Sequence, residues 1–313
     1  NHFNNELQLI ENLIEDQESN ITLIESLIKS QSFNTSSFKT KNEEVSNLTD
    51  EEYMELVELG KKHCYRGDVF QIVLSRQFSQ KYEGDVFNAY RALRSVNPSP
   101  YLFYFDYTDY QIFGSSPEAQ IKVQKGRAVI NPIAGTFKRT GDDEKDKQLA
   151  EELSKDKKEN AEHVMLVDLA RNDLSKHASH VQVEVFKEVQ FFSHVIHLVS
   201  TVQGKPKGRS IEIVGDTFPA GTLTGAPKFK AMELIDTYEN QTRGFYGGAV
   251  GFIGFDNSVN LAIAIRSFVS KNNTLFYQAG AGIVINSTEE GELQEVNNKL
   301  AALKKALILA EQI

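Results

Sequence analysis

The spacing of hydrophobic positions changes period several times along the chain, and each change marks an element. Residues 6–30 repeat at helical spacing, with Leu7, Ile10, Leu13 and Ile14 followed by Ile21, Ile24, Leu27 and Ile28, which predicts a pair of helices. The Ser-, Asn- and Lys-rich stretch 31–47 reads as a mobile linker. A second beginning follows, where Thr49 or Asp50 can cap a helix running to about Cys64. The expected organisation is therefore a helical segment and polar linker over 1–50, left from an amino-terminal region, and a main domain over 51–313.

Within the main domain, period-two runs predict strands at 69–78, 101–106, 111–115, 118–125 and 127–130. Helices are predicted at 86–96 and 145–170, and strands return at 181–188 and 193–204. Runs of strands, then helices, then strands again argue for an α+β fold rather than a doubly wound sheet. Residues 246–285 read as a three-stranded antiparallel meander with turns at 256–258 and 270–273. On its middle strand Leu261, Ile263 and Ile265 share one face and Ala262, Ala264 and Arg266 the other, so two small residues leave a hole with a cation at its edge.

Composition narrows the function. No apolar run approaches the about 18 residues of a membrane span, and the polar start is neither a signal nor a transit peptide, so no membrane is expected. One cysteine, Cys64, leaves no internal disulfide partner and fits a reducing, cytoplasmic location. The net charge of -9 comes from 34 basic and 43 acidic residues without a basic block to track a phosphate backbone, so no nucleic acid is expected. An anionic small substrate stays open, since a metal ion or a few placed arginines set the local field.

Two Glu-x-x-Glu pairs, Glu159 with Glu162 and Glu292 with Glu295, fall on predicted helices far apart in sequence. Residues three apart share a helical face, so each helix can offer one carboxylate to a metal and another to a metal-bound water. Magnesium is the natural ion for such oxygen donors, although this spacing is also common on solvated faces. The C-terminal helix is capped by Ser287 or Thr288, with Glu290 placed to close a capping box, and it buries Leu293, Val296, Leu300, Leu303 and Leu307. Lys299 lies four residues after Glu295, either as its surface partner or reaching an anionic substrate. Gly280-Ala281-Gly282 after a strand can aim backbone N–H groups at a carboxylate. Gly221 to Lys228 lacks the glycine spacing of a phosphate loop. His194 and His197, three apart on a strand, face opposite sides and cannot share a metal.

Several segments together carry a family resemblance. They are Gln71 to Arg76, Asn97-Pro98-Ser99-Pro100-Tyr101, Gly114 to Glu118, Pro132-Ile133-Ala134-Gly135-Thr136, Ala161-Glu162-His163 through Arg171-Asn172-Asp173-Leu174, Ser193 to His197, Pro219 to Lys228, and Gln278 to Ile283. Over about 51–313 the chain resembles the chorismate-utilising enzymes, and among them the catalytic subunit of anthranilate synthase. The resemblance implies two large packed antiparallel sheets with helices outside, and a magnesium-dependent reaction on chorismate. Ammonia would add at ring carbon 2, the 4-hydroxyl leave, and pyruvate be eliminated. It implies Glu162 and Glu295 as Mg2+ ligands with Glu159 and Glu292 behind them, and Glu118 as the acid that protonates the departing hydroxyl. Gly135, Thr136, Tyr246, Arg266, Gly280, Ala281 and Gly282 match substrate-binding positions, to which Lys299 is added as a candidate from its place on the helix, and His197 matches a histidine near the ring.

Two positions choose among members of the resembling family. Its water-using members have lysine where this chain has Gln71, and an amide is no general base. Aminodeoxychorismate synthase, the same-family alternative, commonly has lysine where Ala134 stands, associated with a covalent intermediate. Anthranilate is the expected product; a catalytically incomplete fragment that only binds chorismate is the alternative of another class. A separate glutamine amidotransferase subunit is the implied source of ammonia. Pro100, Tyr101 and Leu102 match half of the family's tryptophan inhibitor site. Leu23-Ile24-Glu25-Ser26 imitates the other half at the wrong spacing, so the expectation is that the usual amino-terminal region is missing.

Overall fold

The computed structural model describes residues 6–30, 36–191 and 195–313, apart from the side chains of Thr136 and Lys158. The chain divides after Ser37 into two units. In the first, helix α1 (Ile21–Ser30) forms where the apolar spacing placed it. Residues 6–20 are not helical, which corrects the expected pair. Instead the Glu11 carboxylate accepts Ser19 Oγ at 2.6 Å and Asn20 N at 2.8 Å, closing a loop around Asp16, whose φ of 71° is left-handed.

The second unit begins inside the stretch read as a linker. Strand β1 (Phe38–Ser46) pairs antiparallel with β2 (Gln71–Gly84), and Phe38 is buried against the Tyr82 ring. Lys39, Lys41 and Glu43 are exposed on this edge strand, and such charges both guard an edge and hide it from a hydropathy reading. Helix α2 (Asp50–Arg66) follows, opened by the capping box of Thr49 and Glu52.

Two antiparallel sheets organise the rest, as the resemblance implied. In the first the order is β1, β2, β14 (Thr274–Ile283), β13 (Ser267–Lys271), β4 (Tyr110–Ser116) and β3 (Tyr101–Asp106), with the short β10 (Gly225–Ala226) also on β2. In the second it is β11 (Ala249–Ile253), β12 (Val259–Ile263), β5 (Ala119–Gln124), β6 (Arg127–Ile130), β9 (Val195–Pro206) and β7 (Ile133–Lys138), with β8 (Ala178–Phe191) also on β9. The core of the first sheet is shared with α2, α3 (Phe87–Val96), α7 (Lys228–Tyr238) and α8 (Glu289–Ala310). The core of the second takes residues from α5 (Lys157–His177) and α6 (Ser210–Thr217), while Ala150 and Leu153 of α4 (Asp143–Lys155) pack on Ile196 and Leu198. The helix expected over 145–170 is thus two helices, because Asp156 breaks it and its carboxylate accepts Glu159 N at 2.9 Å to start the second.

The expected meander is also corrected. Strands β11 and β12 pair in the second sheet, but β13 lies in the first, so the supposed middle strand changes sheet at Ala264 to Arg266. Arg266 has a φ of 51°, which ends the alternation, and the four residues before it, Ala262, Ile263, Ala264 and Ile265, are all buried. Gly280 to Gly282 likewise belong to β14 itself rather than to a turn after it. Helix α8 is capped by Thr288 Oγ1, which accepts Gly291 N at 3.2 Å; because glycine holds that position, Glu290 closes no capping box. Val296, Leu300 and Leu303 are at most 1% exposed, and burying such side chains stabilises by roughly 1.5–3 kcal/mol each, which anchors the helix.

One buried ion pair ties α5 to α7. Lys228 Nζ lies 2.6 Å from Asp173 Oδ2 and donates to Thr217 O at 3.2 Å, with both side chains under 10% exposed. Removing one partner strands the other charge. Lys228→Met should lower stability in urea unfolding by about 3–5 kcal/mol, while adding Asp173→Leu restores most of it; a single-variant loss under about 1 kcal/mol would show that the pair is not a structural pin.

Candidate active site

Glu118 and Arg266 stand where the chain passes between the sheets. β4 ends at Ser116, Pro117 cannot continue the ladder, and Glu118 leads into β5; Arg266 lies between β12 and β13. The two crossings run side by side, since Ser115 N donates to Arg266 O at 3.1 Å and Ile263 N to Glu118 O at 3.0 Å. Glu118 Oε1 accepts the Thr222 hydroxyl at 3.0 Å. Burial raises the Glu118 carboxyl to about 6, against the pull of Thr222, Lys299 and Arg266. Burial also works against the Arg266 charge, which Tyr246, Glu118 and Glu295 support. Both side chains remain partly accessible.

Gly280 gathers the next set. Lys299 Nζ donates to its carbonyl at 2.8 Å and pairs with Glu295 at 2.5 Å, while the Tyr246 hydroxyl lies against its N–H. Burial pushes the Tyr246 phenol up to about 12, and the Arg243 cation over its ring, 5.8 Å from the centroid, opposes that rise. Arg243 is held by Glu239 at 2.6 Å and by the carbonyls of Leu223 and Val73. A Cβ at Gly280 would meet Leu74 O at 2.7 Å, so glycine is required by the closeness of β2.

Two residues along, a Cβ at Gly282 would sit 2.4 Å from Gln71 Nε2. The missing side chain is the space in which the Gln71 amide lies, and that amide donates to Glu162 Oε1 at 3.2 Å. Gln71 is 3% exposed, and its Oε1 meets no hydrogen-bond donor among the described residues. Gly135 forms the third corner: β7 bulges there, with φ at 70°, and its carbonyl faces His197 Nδ1 at 2.8 Å. A carbonyl only accepts, so the imidazole proton is on Nδ1, and burial lowers the His197 pKa, leaving a neutral ring with Nε2 as its basic nitrogen. A Cβ at Gly135 would also come within 3.2 Å of Glu159 Oε2.

The structure therefore brings Glu118, Arg266, Tyr246, Lys299, Glu295, Gln71, Glu162, His197 and Glu159 onto a connected set of segments, with Gly135, Gly280 and Gly282 between them. Ala281 is buried in β14 opposite Leu74, and Thr136 pairs by its backbone with His197. Glu292 is buried one turn before Glu295. Pro100, Tyr101 and Leu102 are not part of this set: Pro100 precedes and the other two begin β3, the edge strand on the other side of β13 and β4 from β14. Their turn is fixed by Ser115, whose hydroxyl bonds Asn97 O and accepts Ser99 N. Ser193 and His194 lie outside the described residues. Thr222 is the participant that sequence reasoning passed over, because a lone hydroxyl in a glycine-rich loop has no spacing signal. A cavity of about 870 Å³ opens beside Glu162, walled by Phe70, Met165, Asp168, Pro227 and Ile285.

Among the described residues no cluster of three or more His, Cys, Asp or Glu side chains is arranged to hold a metal. Magnesium needs no such cage, since one or two carboxylates with water and substrate oxygens suffice. Glu162, through Gln71, and Glu295, through Lys299, both lie by the three-residue stretch Gly280 to Gly282, and an all-oxygen donor pair of this kind fits that ion.

A desolvated carboxyl group, a half-buried arginine and a lysine–glutamate pair, brought together from distant segments, make an enzyme-type site. The chorismate binding enzyme model matches residues 2–305, and the chain belongs to that family. It is similar to anthranilate synthase component 1 of Bacillus subtilis (strain 168), with 44% identity over 99% of this chain and 60% of the relative. With the protein of the same name from Aquifex aeolicus (strain VF5) it shares 46% identity over 85% of this chain and 55% of the relative. The crystal structure of anthranilate synthase component I from Streptococcus pneumoniae TIGR4 superposes with a TM-score of 0.83 at 37% identity, covering 96% of this chain and 70% of that one. The chain thus spans little more than half the length of the curated relatives it matches.

The raised Glu118 pKa has a stability signature. A carboxyl whose folded pKa lies above its unfolded value contributes stability fully present below about 4.5, and loses it as pH rises through about 6. Glu118→Gln keeps the acceptor for Thr222 and removes the charge. It should melt higher than the unaltered protein at pH 8 and together with it at pH 4; equal melting at both would contradict a desolvated Glu118.

Proposed function

We propose that this chain aminates chorismate at ring carbon 2 with ammonia and then eliminates pyruvate to give anthranilate, the product in its relatives' name. The observation that carries the choice is the Gln71 amide. Its Nε2 is committed to Glu162, and its buried Oε1 is an acceptor without a donor among the described residues. That is a site for the N–H of ammonia, whereas water as nucleophile would require a base that an amide does not supply. Ala134, 7% exposed and packed in β7, offers no amine for a covalent route at carbon 4.

The residues divide the work. Arg266 pairs its planar guanidinium with the enolpyruvyl carboxylate and Tyr246 donates to it, while Lys299 adds positive charge. Glu118, whose carboxyl burial raises toward neutrality and Thr222 orients, gives its proton to the 4-hydroxyl; the C4–O bond breaks, its electron pair leaves with the oxygen as water, and both ring double bonds shift, C1=C2 to C1=C6 and C5=C6 to C4=C5, as nitrogen joins carbon 2. Neutral His197 presents Nε2 for the ring proton lost when the C–O bond to pyruvate breaks. Glu162 and Glu295, with Glu159 and Glu292 behind them, would hold a magnesium ion, which when bound supplies Lewis-acid charge for the ring carboxylate. Ammonia would come from a glutamine amidotransferase subunit, as the name component 1 of the relatives implies. No helix among the described residues is long and apolar enough to cross a membrane, and a single, half-buried cysteine, Cys64, suits a reducing cytoplasm.

With chorismate, magnesium and an ammonium salt, the chain should form anthranilate, read by its fluorescence. Glu295→Gln should cut the rate by about two orders of magnitude or more. Gln71→Lys should lose the aminated product in favour of a hydroxylated one. Aminodeoxychorismate as product, or unchanged turnover in Glu295→Gln, would contradict this function.

A further inference from the structure

A second, small and partly open cavity of about 40 Å³ adjoins Glu118, and its polar wall is made by Glu118, Gln120, Asn131, Asp173, Thr217 and Thr222. Most of these side chains already have protein partners. Asn131 donates to Thr201 Oγ1, Asp173 pairs with Lys228, the Thr217 hydroxyl donates to Val214 O, and that of Thr222 to Glu118. Gln120 differs. It is 4% exposed, and neither its Oε1 nor its Nε2 meets a hydrogen-bonding partner among the described residues. Folded proteins seldom leave a buried carboxamide so, and where a polar cavity adjoins it they fill the need with water.

The size and the chemistry agree. A cavity needs roughly 10–15 Å³ to hold one water, so this one holds at least that. The unmet groups are one donor and one acceptor, which suits a neutral molecule that both gives and accepts hydrogen bonds; a cation would serve only Oε1 and an anion only Nε2. Gln120 is the extra residue where β5 bulges against Leu261 and Ala262, and it lines the same cavity as Glu118. None of the catalytic roles given above uses Gln120.

We propose that this cavity is a built water site, in which ordered water bridges the Gln120 amide to Glu118 and solvates the ionised form of that carboxyl group. Water there limits how far burial can hold Glu118 neutral, so Gln120 acts through Glu118 as a positioning residue. The consequence for catalysis rests on the reading of Glu118 as the acid, but the site itself does not.

The test uses the full chain in ammonium-free buffer and does not require turnover. A high-resolution crystal structure should show water within hydrogen-bond distance of Gln120 and Glu118. Infrared titration, with Glu118→Gln identifying the carboxyl band, should place the Glu118 midpoint about one pH unit higher in Gln120→Leu than in the unaltered protein, a tenfold weaker ionisation. Gln120→Met, closer in shape, serves the same purpose should the leucine variant misfold. A dry cavity with Gln120 turned to a protein partner, or a Glu118 midpoint unmoved in the variants, would overturn the proposal. A protein that fails to turn over chorismate yet shows the water and the shift would retain it while sinking the function proposed above.

Discussion

Everything in the pocket depends on two backbone hydrogen bonds that hold one sheet crossing against another. Ser115 N to Arg266 O and Ile263 N to Glu118 O lock together the segments by which the chain leaves the first sheet and later returns to it. A carboxyl and a guanidinium would ordinarily be solvated, or neutralise each other by contact. Here each is fixed by its own stretch of irregular backbone, so the protein can hold the two near one another in a desolvated place without fusing them into an ion pair. The cost of burying them is visible in the upward drift of Glu118 and the downward drift of Arg266.

The second support is strand β14. Glycine at 280 allows the strand to close on β2 and frees its peptide for Tyr246 and Lys299; glycine at 282 leaves the space that the Gln71 amide occupies. Helix α8 brings Glu295 and Lys299 to the same stretch and is held by Val296, Leu300 and Leu303, which are almost wholly buried. The position of the polar groups is thus set by packing elsewhere, which is how a site remains organised before its ligand arrives.

Much of this was legible in the sequence, and the parts that were not have physical reasons. Helices α2 and α8 followed from apolar spacing and capping residues, α3 from its apolar spacing, and β3 and β6 from runs of β-forming residues, because local signals and tertiary burial agreed there. The α+β class came through as well; the glutamate pairs had a spacing signal, while the roles of Glu118, Tyr246 and Gln71 were implied by family resemblance alone. Three things were hidden. The charged edge strand β1 looked like a linker, since only Phe38 marks its buried side. The passage through Ala264 to Arg266 looked like continuous strand, since alternation cannot reveal a change of sheet when both faces are buried. Thr222 carried no pattern at all, because its part comes from a contact with Glu118 across more than a hundred residues.

The central claim is that paired carboxylates on α5 and α8 and the cations by the sheet crossings form one chorismate site. Calorimetric titration of chorismate into the protein, with and without magnesium, tests it most directly. The account requires a single saturable site that appears only with magnesium and weakens at least about tenfold in Arg266→Lys, where the planar fork is lost. Binding of equal strength without magnesium, or indifferent to Arg266, would mean that these groups do not form the site described.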